Sequence, residues 1–285
     1  MPRAALVTSS KLPNLTADDR LLLAPLAEHG IQAAPAIWDD DTVDWSSYDA
    51  IVLRSTWDYH LKPNEFLRWI HSLTDVNTKL WNPPALVRWN ANKTYLRDLD
   101  AKGIAVVPTI WPEFIEPVTL HEKLKELGWT KAVVKPRISA TAYRTQLITT
   151  ENADSAQTLF EGLLGGPGVM VQKFMDSIID EGEWSLMFFA GVFSHAVLKT
   201  PASGDFRVQS DFGGRDCLVD PPMHVLRSAT QILQAVEPTL YARVDGVVED
   251  DQFHLMELEL IEPALFLSSH SSAPARFAEA IAEKL

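Results

Sequence analysis

The amino-acid sequence predicts an open α/β layer at the start of the chain, followed by an antiparallel-rich α+β region. Strand-like and helix-like runs alternate through roughly the first hundred residues, the pattern of a sheet with helical crossovers. From Ile104 onward, strand-like runs follow one another across short turns, with helices expected near 152–164 and 223–236. The turn after the first strand, residues 9–14, holds no glycine. That disfavours a dinucleotide-binding layer, where glycines permit the tight turn and the close approach of a pyrophosphate.

Residues 4–8 read as the first strand. Thr16 is a good N-cap with Asp18 and Asp19 in the first turn, Leu22 and Leu26 share a face, and Gly30 sits at a C′ position, so a helix is marked at both ends. Residues 31–38 and 50–54 read as further strands. Phe66, Trp69, Ile70 and Leu73 recur at helical spacing after Pro63, and residues 79–81 close this lobe as a short strand. Pro83 and Pro84 punctuate the chain, and a helix is expected at about 91–102, stopped by Gly103. Strands are then expected at 131–135, 169–174, 184–190, 193–199, 241–248 and 253–261. The expected division is 1–90, 91–172 and 173–285.

At 285 residues, 46% hydrophobic and 22% charged, the chain has the balance of a soluble globular protein. Its net charge of −13, with no basic run, makes nucleic acid and anionic membranes poor partners, and a phosphorylated ligand would need a locally basic pocket. Cys217 is the sole cysteine, which excludes an internal disulfide and leaves no zinc-ligand spacing. The chain starts without the apolar stretch of a secretory signal, and its longest apolar run is too short to span a bilayer, so a cytoplasmic location is expected.

Residues 241–259 alternate like two strands around an acidic turn at Asp250 and Asp251. Side chains two apart share a face, so Arg243 joins Asp245 and Glu257 joins Glu259. With the turn centred near Asp251, Asp245 lies opposite Glu257 and Arg243 opposite Glu259. Three crowded carboxylates repel one another unless a cation sits among them, and magnesium takes such hard oxygen ligands. The alternative is a solvated polar face with Arg243 as counter-ion.

Lys135 ends an apolar run and is kept extended by Pro136, a placement that suits phosphate oxygens or, more plainly, a strand-end lysine reaching solvent. Residues 137–143 are small and hydroxyl-bearing but lack the glycines of a phosphate-cradling loop. The strand end at Gln172, Lys173 and Phe174 could offer backbone groups to a base, and Glu183 could accept from ribose hydroxyls.

The order Lys93, Lys135, 172–174, Glu183, Arg207, Asp245, Glu257-Leu-Glu259 resembles the ATP-grasp superfamily. In particular it looks like the glutathione-synthetase branch and its relative, the O-ureido-serine cyclo-ligase of cycloserine biosynthesis. The cues are Arg54-Ser-Thr-Trp-Asp-Tyr59, Trp89-Asn-Ala-Asn-Lys93, Val107-Pro-Thr109, Val133-Val-Lys-Pro136, Asp205-Phe-Arg207 with Gly213-Gly214, and Arg243-Val-Asp245. The resemblance implies an N-terminal α/β lobe and two α+β subdomains enclosing ATP. It implies that Lys93 and Lys135 hold ATP phosphates beside Ser139 and Thr141, that Lys173 and Phe174, after Gln172, offer main-chain groups to adenine, and that Glu183 contacts ribose. Asp245, Glu257 and Glu259 would bind two magnesium ions, with Arg207 and Arg243 beside the reacting groups. Glu259 stands where many members carry asparagine, and Ser139, Ala140 and Thr141 stand in place of glycines.

The implied chemistry is attack of a carboxylate on the γ-phosphate of ATP and capture of the acyl phosphate by an amine, on a second molecule or within the same one. Arg54, Ser55 and Thr56, at the carboxyl edge of a strand, and Lys199 are the candidates for binding a small-molecule substrate. Trp57 to Tyr59 equally read as the start of a structured loop. A homodimer is the expected assembly. The rival functions are a phosphotransferase and a non-catalytic nucleotide sensor.

Overall fold

A computed structural model of the chain describes residues 1–75, 79–113, 119–209 and 212–285. The first lobe is a parallel sheet in the order β2-β1-β3-β4, formed by β1 (Arg3–Thr8), β2 (Gln32–Ile37), β3 (Ala50–Ser55) and β4 (Lys79–Trp81). Parallel neighbours require crossovers, and α1 (Leu23–Glu28) and α2 (Pro63–Ser72) provide two of them. The helix expected from Thr16 begins later. The Thr16 hydroxyl accepts from the Asp19 N–H at 3.0 Å and starts a 3-10 turn at Asp19–Leu22. Pro25 has no N–H to donate to the preceding turn, so regular α geometry starts at Leu23, which puts the proline in the first turn.

The helix expected at 91–102 is present as α4 (Tyr95–Ala101), and a further helix, α3 (Pro84–Asn90), precedes it. Pro84 is the first residue of α3 rather than a break, because an N-terminal position has no use for the missing N–H.

The second sheet is antiparallel, in the order β5-β8-β6-β7. It contains β5 (Thr109–Ile110), β6 (Lys131–Pro136), β7 (Gln146–Thr149) and β8 (Val169–Lys173). Leu120 and Leu124 of α5 (Leu120–Leu127) and Phe160 and Leu163 of α6 (Ala153–Leu164) pack on Val134, Ile148 and Val171 to form its core. After α7 (Ser177–Asp180) comes the third sheet, in the order β11-β10-β9-β12-β13. Its strands are β9 (Glu183–Phe189), β10 (Val192–Thr200), β11 (Arg215–Leu218), β12 (Tyr241–Glu249) and β13 (Gln252–Glu259). One face is covered by α4 and α8 (Met223–Gln234), the other in part by α9 (Ala273–Ala282). Burial on both faces explains why β9 is an unbroken buried run rather than an alternating one. No helix among the described residues is long and apolar enough to cross a membrane.

The β12–β13 hairpin turns at Asp250 and Asp251, both at positive φ (51° and 60°), the combination of a type I′ turn. Near the turn Glu249 faces Gln252 and Gly246 faces Leu255. The register then shifts by one, leaving Met256 as the extra residue, and beyond it Asp245 faces Glu257 and Arg243 faces Glu259. The predicted pairing is therefore present, but a bulge produces it rather than the turn. Without that residue Glu257 and Glu259 would change faces.

Candidate active site

A cavity of about 330 Å³ lies among the three sheets. Lys93, Lys135, Ser139, Thr141, Gln172, Lys173, Phe174, Glu183, Lys199, Arg207, Arg243, Asp245, Glu257 and Glu259 all line it. Residues expected at separate points of the sequence thus meet in one place. Met175, Ile178, Val208 and Met256 form an apolar part of its wall, while Trp57, Tyr59, Glu262 and Phe266 line it from the first lobe and the segment after β13.

Most charges in the cavity are paired. Lys93, in the turn between α3 and α4, donates to Glu257 Oε1 at 2.6 Å and to the Ser139 carbonyl at 3.0 Å. Burial opposes its charge, but the Glu257 carboxylate outweighs burial and holds its pKa above the ordinary value. Lys199 lies 2.5 Å from Glu183 and 3.7 Å from Asp245. Against the cost of burial, these carboxylates keep it charged. Arg243 bonds Asp245 at 2.8 Å and reaches Glu259 as well. Arg243 also outweighs burial in holding Asp245 below the ordinary carboxylate range, and the Ser185 hydroxyl donates to the same side chain. Arg207 is fixed by Asp205 at 2.7 Å and lies 3.6 Å above the Phe212 ring.

Two partly buried lining groups, Lys135 and Glu262, have no ion-pair partner among the described residues. Lys135 contacts the neutral Gln172 Oε1 at 3.0 Å and no carboxylate among the described residues, and burial lowers its pKa. Burial also pushes Glu259 up to about 7 despite Arg243, and Glu262, with no cation in salt-bridge range among the described residues, to about 8.

Among the described residues, no three His, Cys, Asp or Glu side chains gather closely enough to hold a metal ion unaided. Magnesium is commonly held by a few carboxylates plus substrate phosphates. Asp245, Glu257 and Glu259 fit it as hard oxygen donors on one face, with the remaining ligands left to a phosphorylated substrate.

One expectation needs correction. Arg54, Ser55 and Thr56 do not line the cavity. Arg54 is fully buried and saturated by Asp19 (2.9 Å) and the Pro263 carbonyl (2.7 Å), and the Ser55 hydroxyl bonds the same Asp19 at 2.5 Å, so neither is free for a substrate. The amide N–H groups of Lys173 and Phe174 donate to the Pro108 and Lys131 carbonyls, so a main-chain contact to a base falls to their carbonyls. Glu183 lines the cavity in an ion pair with Lys199 at 2.5 Å. The glycine-poor loop at 139–145 takes left-handed backbone at Thr141, Ala142 and Arg144, where glycine is the usual residue.

Sequence reasoning missed the segment 260–266. Its successive carbonyls are each held by a side-chain donor: Leu260 by Asn82 (2.8 Å), Ile261 by Tyr241 (2.7 Å), Glu262 by Trp57 (3.0 Å), Pro263 by Arg54 and Ala264 by Arg243 (3.0 Å). Those of Leu265 and Phe266 are held by His195 Nε2 at 3.0 and 3.1 Å. Its donors come from widely separated parts of the chain, so no local pattern marks it; Glu262-Pro263, three residues past Glu259, is the only cue.

A cavity among the three sheets, lined by lysines of the second sheet and of the α3–α4 turn and by a carboxylate hairpin of the third, is the arrangement of an ATP-grasp ligase. Two structures of that fold agree with it. D-alanine–D-alanine ligase from Bacillus anthracis complexed with ATP matches with TM-score 0.73 and 16% identity over 99% of this chain and 97% of that one. The ATP-grasp ligase PsnB with its minimal precursor matches with TM-score 0.68 and 13% identity over the whole of both chains. The chain belongs to the family of the cycloserine biosynthesis protein DcsG. It is 33% identical to that protein of Streptomyces lavendulae over 99% of this chain and 98% of its relative. Residues 4–82 match the family described as D-cycloserine synthetase DcsG, N-terminal domain. The crystal structure of D-cycloserine synthetase DcsG superposes with TM-score 0.89 and 31% identity over 99% of each chain. The protein is an ATP-dependent carboxylate–amine ligase acting on small molecules.

Proposed function

We propose that the protein closes a ring within one amino-acid-derived substrate, an O-substituted serine such as O-ureido-D-serine, with ATP as phosphoryl donor. The carrying observation is that Lys93, Lys135 and Arg207 share one cavity with Asp245, Glu257 and Glu259; the kinship with a D-cycloserine synthetase supports the substrate class. In this reading the substrate carboxylate attacks the γ-phosphorus and ADP leaves. A nitrogen of the same molecule then attacks the acyl carbon, phosphate departs and the nitrogen loses its proton. Lys135, with no carboxylate partner among the described residues, is a cation open to phosphate oxygens, and Arg207 is held beside them by Asp205 and Phe212. Asp245, Glu257 and Glu259 would hold magnesium, two ions in our reading, which when bound neutralises phosphate charge. The carbonyls of Lys173 and Phe174 would face adenine, and Glu183, together with Lys199, the ribose side. We also propose the division 1–90, 91–172 and 173–285, with ATP enclosed by the second and third parts.

The test is ADP release with magnesium-ATP and O-ureido-D-serine. Glu257→Gln is expected to lower turnover about a hundredfold or more in a protein that still folds, with a lowered melting temperature because buried Lys93 loses its ion-pair partner, and chelation of magnesium to stop wild-type turnover reversibly. Near-normal turnover in the variant would sink the metal assignment.

A further inference from the structure

We propose that Glu262 recognises a cationic amine on the substrate, so that an ammonium group is a requirement for tight binding. The inference deepens the ligase reading and rests on it for the substrate class.

The argument begins with charge balance. The ion pairs described above account for Glu183, Asp245, Glu257 and Glu259 within the wall. Two lining carboxylates have no cation in range among the described residues: Asp216, which is exposed on the edge strand β11, and Glu262, which is half-buried. An unpaired carboxylate in a cavity wall is costly unless a ligand compensates it. Burial and the neighbouring Glu259 push Glu262 up to about 8, which expresses that cost in the empty cavity.

Its position is also built rather than incidental. All seven consecutive carbonyls of 260–266 are fixed by side chains drawn from the first lobe and the third sheet, which fixes the backbone from which the Glu262 side chain enters the cavity lining. The indole of Trp57 donates to the Glu262 carbonyl at 3.0 Å, so this ring stands against the residue. Tyr59 lies close enough for the Glu262 charge, after burial, to be the main cause raising its hydroxyl pKa. Trp57 and Tyr59 line the same cavity as Glu262, and aromatic faces also attract an ammonium group.

Along β13 the residues facing the cavity run from apolar Met256 through Glu257 and Glu259 to Glu262 beyond the strand end. The uncompensated lysine, Lys135, and the uncompensated acid, Glu262, therefore call for a bipolar set of ligands. Phosphate oxygens suit the first and an amine the second.

The test is calorimetric binding, with magnesium-ADP present, of O-ureido-D-serine and its des-amino counterpart, 3-(ureidooxy)propanoate, to wild type and Glu262→Gln. Wild type should bind the amino acid about 10- to 100-fold more tightly than the des-amino acid. In Glu262→Gln that preference should collapse, through loss of affinity for the amino acid alone. Equal affinities in wild type, binding of neither acid, or an undiminished preference in the variant would overturn the assignment. The wild-type comparison needs no variant, so it decides even if Glu262→Gln folds poorly. Turnover is measured in parallel: wild type that discriminates between the acids but releases no ADP would refute the ligase substrate while leaving the ammonium site standing.

Discussion

At the scale of residues, Glu262 carries a pH signature. Its folded pKa of about 8 lies above the ordinary value of 4.5, because burial and Glu259 disfavour the anion. Between those two values the folded protein holds a proton that the unfolded chain has released, so stability falls as pH rises through this window. The melting temperature of the ligand-free protein is therefore expected to drop more between pH 6 and pH 9 in wild type than in Glu262→Gln. Parallel pH profiles by scanning calorimetry would contradict this. Arg54 shows the opposite case: a conspicuous arginine at the carboxyl edge of a parallel sheet, read as a substrate ligand, turns inward to Asp19 and Pro263. Its distance from the cavity is a consequence of pairing that no local pattern announces.

At the scale of elements, the β12–β13 hairpin depends on a backbone irregularity. Gly246 sits at the shift in register, where an added Cβ would lie 2.4 Å from the His254 carbonyl oxygen and 2.4 Å from the Phe253 ring. Gly246→Ala is expected to destabilise the protein by about 1–3 kcal/mol and to lower turnover further than the stability loss explains, since the bulge sets which face Glu257 and Glu259 occupy. Urea unfolding and ADP release on the folded variant would test both parts. Unchanged turnover would show that the hairpin tolerates a displaced bulge.

At the scale of the whole molecule, the C-terminal helix α9 joins the lobes. Phe277 is fully buried, stacks on Phe189 at 4.6 Å, meets Tyr241 edge-on at 5.7 Å and lies under the Arg54 guanidinium. Tyr241 and Arg54 in turn hold the carbonyls of Ile261 and Pro263, on either side of Glu262. Phe277→Ala is expected to cost about 3–5 kcal/mol and to weaken binding of the amino-acid substrate more than that of ATP. Equal losses for both ligands would show that α9 supports the fold without tuning the segment at 260–266.

The sequence by itself determined the strands and most helices of the first lobe, the hairpin and its facing acids, because periodicity and turn chemistry are local properties of a chain. Even the identity of the cavity's lysines and carboxylates was legible, through the order of motifs that resembles ATP-grasp proteins. The helix at 84–90, the bulge at Met256 and the burial of Arg54 were decided by tertiary packing. So was the site at Glu262: its seven anchored carbonyls draw on Asn82, Trp57, Arg54, His195, Tyr241 and Arg243, residues up to 209 positions away. Whether a charge is paired depends on what the fold brings within a few ångströms, and that distance has no trace in spacing along the chain.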